Sequence, residues 1–178
     1  MRIARWAVLP ALLALAGCSW GWLPWAGKSA PKEACPQAVI LNPLANTATF
    51  APGPERGPRN VAFYGILSEV DSRCEYVRGG VRMKLKVIVV GQRGPAAKGN
   101  SVDFHYFIAV VGPDQRVLSK HPFAVHIAFP PGKLRAGVSD RIDELIPLDG
   151  MKGGELSVDL GFQQSPEVVE FYRHFRGR

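Results

Sequence analysis

Val81-Arg82-Met83-Lys84-Leu85-Lys86-Val87-Ile88-Val89-Val90 decides the fold class. Val81, Met83, Leu85, Val87 and Val89 occupy one phase of a two-residue period, and Arg82, Lys84 and Lys86 occupy the other. Successive side chains leave opposite faces only on an extended strand, so this stretch predicts a strand with one face on a core. The same period returns at Val102, Phe104, Tyr106, Ile108 and Val110, at Phe123, Val125, Ile127 and Phe129, and at Leu156, Val158, Leu160 and Phe162.

Upstream, Val61 to Asp71 is apolar on both alternations, which fits a central strand. Cys74 to Val77 either continues it or begins another, and Arg78-Gly79-Gly80 is a hairpin signal. Ala38 to Leu41 and Thr47 to Phe50 are short strand candidates; Ala51 to Asn60, with three prolines and two glycines, is a loop. Gly112-Pro113-Asp114-Gln115 turns the chain into Arg116 to Phe129. Pro122 has no N–H for a ladder, so that segment belongs at a sheet edge or a bend. Ala136 to Leu148 is a more polar strand candidate carrying Val138, Ile142, Leu145 and Ile146.

One helix is expected, at the C-terminal end. Ser165 can cap it, Pro166 suits its first position and Glu167 favours the positive end of its dipole. Val168, Phe171, Tyr172 and Phe175 follow on one stripe that should pack on the sheet or a sandwich edge. Seven or so strands joined by Gly/Pro turns predict an antiparallel β-sandwich with one short C-terminal helix. Immunoglobulin-like or fibronectin-like topology is the first expectation and a partly open barrel the second.

The N-terminus sets the address. Arg2 and Arg5 precede an apolar run from Trp6 to Ala16, which as a helix spans roughly 17 Å against a hydrocarbon core of ~30 Å. It therefore reads as a cleaved signal over 1–17. Leu15-Ala16-Gly17-Cys18 resembles the lipobox of bacterial lipoproteins. That resemblance implies cleavage after Gly17 and acylation of Cys18, which would hold the chain on a membrane by its N-terminal lipid. Ser19 after the cysteine implies, by the same resemblance, sorting to the outer membrane, with the protein facing the periplasm. Residues 18–34 carry Trp20, Trp22 and Trp25 without a hydrophobic period and read as an acylated tether, leaving 35–178 as the folded domain.

Cys35 and Cys74 are then the remaining thiols, and a pair in an oxidising compartment predicts a disulfide. Loss of Arg2 and Arg5 lowers the net charge from +7 to +5. That is enough to lean on anionic lipid or polymer but names no partner, and the exported address argues against nucleic acid.

Little in the chain points to catalysis. Asp103 and His105 share a strand face with Ser101, which invites a hydrolase reading, but neighbours on one strand do not usually make a relay. His121 and His126, five apart on extended chain, leave opposite faces and make no metal pair, and His174 falls in the final helix. Asp140, Asp143 and Glu144 lack the Asp-x-Asp-x-Asp-Gly pattern of a calcium loop, so neither a metal nor a cofactor is expected. Arg82, Lys84 and Lys86 form a basic row, either a contact for an anionic surface or a solvated sheet face.

Phe107-Ile108-Ala109-Val110-Val111, Phe129-Pro130-Pro131, Ile146-Pro147-Leu148 and Gly161-Phe162-Gln163-Gln164-Ser165-Pro166-Glu167, together with Cys35-Pro36, resemble a group of uncharacterised proteobacterial lipoproteins. The resemblance carries no activity. The expectation is a non-catalytic envelope lipoprotein that binds or scaffolds another envelope protein or polymer. A hydrolase centred on Asp103 and His105, and a carrier holding an apolar ligand between two sheets, stay open beside it.

Overall fold

The computed structural model describes residues 33–175. The expected signal segment 1–17, the acylated Cys18 and all but the end of the tether lie outside the described residues. In chain order the elements are β1 Gln37–Ile40, β2 Asn46–Phe50, β3 Val61–Val77, β4 Gly80–Arg93, β5 Ser101–Val111, β6 Val117–Ala128, β7 Arg135–Ile146, β8 Ser157–Phe162 and the helix α1 Pro166–His174. The strands make two sheets, β1-β8-β5-β6 and β2-β3-β4-β7, so the domain is a β-sandwich and not a barrel. Every pairing is antiparallel except β1 beside β8.

The two-residue period carries over to the core. Val81, Met83, Leu85, Val87 and Val89 of β4 are buried against Phe104, Tyr106, Ile108 and Val110 of β5 and against Val158, Leu160 and Phe162 of β8. β3 is one continuous strand of 17 residues, and Cys74 to Val77 are its end. A bulge between Leu67 and Glu69 shifts its register against β4. The bulge separates a half-buried outer face (Ala62, Tyr64, Ile66) from a charged one (Glu69, Asp71, Arg73, Glu75). Gly79, with φ of 92°, closes the β3–β4 hairpin in a conformation that L side chains rarely adopt. Arg93 closes one end of the core, its guanidinium lying 4.9 Å from the Phe129 ring and donating to the Gly99 carbonyl at 2.7 Å.

Pro122 lies on β6, the edge strand of its sheet, where its missing N–H costs no ladder bond. Of the apolar residues expected to build β7, Ile142 and Ile146 are buried while Leu145 points outward and is exposed. An odd-numbered residue cannot share a face with those two on a regular strand.

α1 forms as its cap predicts, with Ser165 Oγ accepting from the Val168 amide at 3.4 Å. Val168 and Phe171 are buried, and Phe171 packs on Ala48 and Val61 at the outer face of β2 and β3. Phe50 meets Phe171 edge to face at 5.3 Å. Arg56 adds an ion pair to Glu167 at 2.8 Å and lies over the Phe50 ring. That exposed pair is screened by water and adds little, whereas burying a phenylalanine contributes roughly 1.5–3 kcal/mol. Packing therefore holds the helix, and the ion pair orients the 51–60 loop beside it.

Cys35 and Cys74 are bonded, with Cα atoms 5.8 Å apart. The bond ties the entry of the chain to β3, and the Tyr76 hydroxyl, donating to the Ala34 carbonyl at 2.7 Å, fixes the residue next to it. Thiol labelling of unreduced, unfolded protein should leave both cysteines unmodified. For a loop closed across 39 residues, reduction should lower the unfolding free energy by about 4 kcal/mol, read from urea melts with and without reductant.

Candidate functional site

The acid and histidine candidates of the sequence do not converge. Asp103 reaches His126, which stands directly opposite it on β6, with Oδ1 and Nδ1 2.7 Å apart. It is not paired with His105, which faces the same outer surface but has Ala124 opposite. The pair is more than half exposed, 67% for Asp103 and 59% for His126. An exposed pair of this kind is screened by water and contributes little. Ser101 stands opposite Ala128, so no hydroxyl is delivered to the pair by the register. His174 lies beside Glu170 one helical turn earlier, Nδ1 to Oε1 3.2 Å, on the exposed side of α1. Among the described residues no three His, Cys, Asp or Glu side chains are grouped so as to hold a metal ion.

A less visible polar cluster closes the side of the sandwich where the edge strands β6 and β7 meet. Asp140 and Glu144 leave β7 toward the interior. Tyr106, fully buried on β5, donates its hydroxyl to Asp140 Oδ2 across the two sheets at 2.7 Å. Phe123 stacks on the Tyr106 ring at 5.4 Å. Two positions along β6, His121 Nε2 stands 3.5 Å from Glu144 Oε1. Desolvation, then the hydrogen bond and the charge of Asp140, push the Tyr106 phenol far above its usual range. The period-two pattern places Tyr106 in the core but gives no hint that its hydroxyl finds a partner on the other sheet.

Arg82, Lys84 and Lys86 stand exposed on the outer face of β4, as their alternation predicts. Their cross-strand neighbours are of both signs. Arg82 lies between Glu75 and Leu145, Lys84 between Arg73 and Asp143, and Lys86 between Asp71 and Arg141. Arg82 also bonds Asp143 at 3.4 Å. The row is therefore one line in a mixed lattice of charges, not an isolated basic strip.

A larger concave surface than either pair offers lies elsewhere. It is an open groove of about 980 Å³ between α1, the outer face of β3 and β4, and the 3-10 turn at Asn42–Leu44. Four carboxamides line it (Asn42, Asn46, Gln92 and Gln164) together with Tyr64 and Tyr172, and Leu44, Ile66 and the exposed Val169 add apolar surface. The turn is held there because Leu44 sits over Gly161, where any side chain would collide with it. Gln164 Nε2 donates to the Asn46 carbonyl at 2.6 Å, and the Tyr172 hydroxyl donates to the Thr47 carbonyl at 3.0 Å. Both acceptors belong to β2, the edge strand of its sheet; the Asn46 carbonyl faces the free edge, which the connector before α1 therefore blunts. Burial and the neighbouring Tyr64 push the Tyr172 phenol up to about 12, and burial raises Tyr64 as well. Arg173, the one cation in the groove, is paired with Glu170 at 2.8 Å. Sequence reasoning missed this site because its residues are scattered from 42 to 173 and no local spacing joins them.

Two measurements follow from the buried phenols. Asp140→Ala, which strips the Tyr106 hydroxyl of its acceptor, should cost roughly 1–3 kcal/mol, and adding Tyr106→Phe should recover part of that loss in a double-mutant cycle. Both Tyr106 and Tyr172 hold their protons longer folded than unfolded, where a tyrosine titrates near ~10. The unfolded state therefore loses protons first as pH rises. The stability linked to these groups is intact below ~10 and is lost above it, the Tyr172 share being gone near pH 12. Urea melts across this range should show the decline, and Tyr172→Phe should flatten it.

No family model matches the chain, and no curated protein or solved structure matches it either.

Proposed function

We propose that this chain is a lipid-anchored lipoprotein of the cell envelope whose β-sandwich is a non-catalytic binding module. The lipobox-like Leu15-Ala16-Gly17-Cys18 supports the anchor, and the Cys35–Cys74 bond is what an oxidising compartment would select. The observation that carries the binding reading is the groove between α1 and the outer face of β3 and β4. Concave surfaces with an apolar floor and a few convergent polar groups are where small ligands and chain segments bind. The polar pairs found elsewhere, Asp103–His126 and His121–Glu144, are a carboxylate with an imidazole and bring no nucleophile with them. Outer-membrane residence and a periplasmic orientation complete the reading, with another envelope protein or polymer as partner.

Cys18→Ser should move the protein from the membrane fraction to the soluble one, and mass analysis of the mature protein should find its N-terminus at an acylated Cys18. A photoreactive residue at Val169, exposed beside the groove, should capture a partner in intact cells, while one at Lys84 should not. Equal capture from both positions would remove the groove from the proposal.

A further inference from the structure

We infer that the groove between α1 and the sheet takes a neutral, polyhydroxylated ligand, a segment of carbohydrate chain; this rests on the reading of the groove as the binding surface. Carboxamides carry a donor and an acceptor side by side; Asn42, Asn46 and Gln92 place three of them around one concavity, and Gln164, whose amide nitrogen is engaged with the Pro43 and Asn46 carbonyls, adds its oxygen. A vicinal pair of sugar hydroxyls needs the same two functions at the same separation. Tyr64 and Tyr172 supply aromatic faces beside them, both half-buried and so already partly ordered. The C–H face of a pyranose ring packs on such a surface while its hydroxyls reach the amides.

Other ligand classes fit less well. Arg173 is paired with Glu170, and among the described residues no carboxylate lines the groove, so neither an anion nor a cation finds an unpaired charge there. An extended peptide would join the exposed edge of β2, where the outward carbonyl of Asn46 is already taken by Gln164. A lipid tail needs an enclosed apolar cavity, and this groove is open with amides around it. Its volume of about 980 Å³ is at the upper end of the ~300–1,000 Å³ of small-ligand sites, room for several linked rings.

The test is calorimetric titration of the full acylated chain in detergent with neutral oligosaccharides built on glucose, galactose, mannose or N-acetylglucosamine. At least one should bind. Tyr64→Ala should weaken that binding about tenfold or more and Gln92→Ala by several-fold, the usual consequence of losing a stacking face or one hydrogen bond. Tyr64→Phe, which keeps the ring, should retain most of the affinity and guards against a folding defect in the alanine variant. Lys84→Glu, outside the groove, should change nothing. A silent panel at millimolar sugar overturns the inference, as does binding that Tyr64→Ala and Gln92→Ala both leave intact. A silent panel together with capture of a protein from Val169 leaves the groove reading standing and removes the sugar. Silence in both experiments removes the two together.

Discussion

The structure depends on burying one phase of a two-residue period between two sheets. A strand slipped by one residue would send its whole apolar set to water and its charges inward. On β4 that slip would expose Val81, Met83, Leu85, Val87 and Val89 and bury Arg82, Lys84 and Lys86. At roughly 1.5–3 kcal/mol per apolar side chain, five lost side chains exceed the net stability of most domains, so register here is not negotiable. The bulge after Leu67 is the one place where β3 and β4 depart from it. There the outer face of β3 changes from one that the helix partly covers to one that faces solvent with charge.

A two-sheet sandwich has four edges, and each is managed differently. β6 carries Pro122, which cannot donate to an added strand. β7 turns Asp140 and Glu144 inward, where a phenol and an imidazole meet them. β1 is short, pairs in parallel with β8 and begins just after the disulfide that fastens it. β2 is blunted by Gln164, whose amide takes the outward carbonyl of Asn46. Gln164 leads directly into α1, which packs on the outer face of β2 and β3. A groove between helix and sheet is the geometric consequence, so the candidate site arises from the same contacts that blunt the edge.

The core and its two faces were legible because period two is a local signal, read over ten residues without knowing the fold. The strand faces at Val81 to Val89, Val102 to Val110 and Leu156 to Phe162 are buried as that signal requires. The helix was equally legible, since cap, proline and stripe sit within eleven residues. The disulfide followed from the scarcity of cysteine and the expected oxidising address. Pairing was not legible: β4 joins β7 and β5 joins β8, and nothing local in Arg82 announces that Leu145 will stand beside it. The same blindness paired Asp103 with the nearby His105 on its own strand, when the residue across the ladder was His126. The groove was invisible for this reason too, being assembled from four separated stretches of chain.

In the proposed binding module, the charge of the domain and the neutrality of its groove would divide the work of recognition. The outer face of β3, β4 and β7 interleaves Asp71, Glu75 and Asp143 with Arg73, Arg82, Lys84, Lys86 and Arg141, leaving a modest positive excess. At physiological salt such a field decays over ~8 Å, so it can hold the domain near an anionic surface but cannot choose among ligands. Selection needs directional donors and acceptors at fixed positions, and those are found where charge is absent. Gln164 is fixed by the β2 backbone, Tyr172 by its hydroxyl, and the 3-10 turn by Leu44 over Gly161. A lining ordered before the ligand arrives loses less entropy when it binds. The rigidity that fastens the edge of the sheet would thus also prepare the groove for the binding proposed for it.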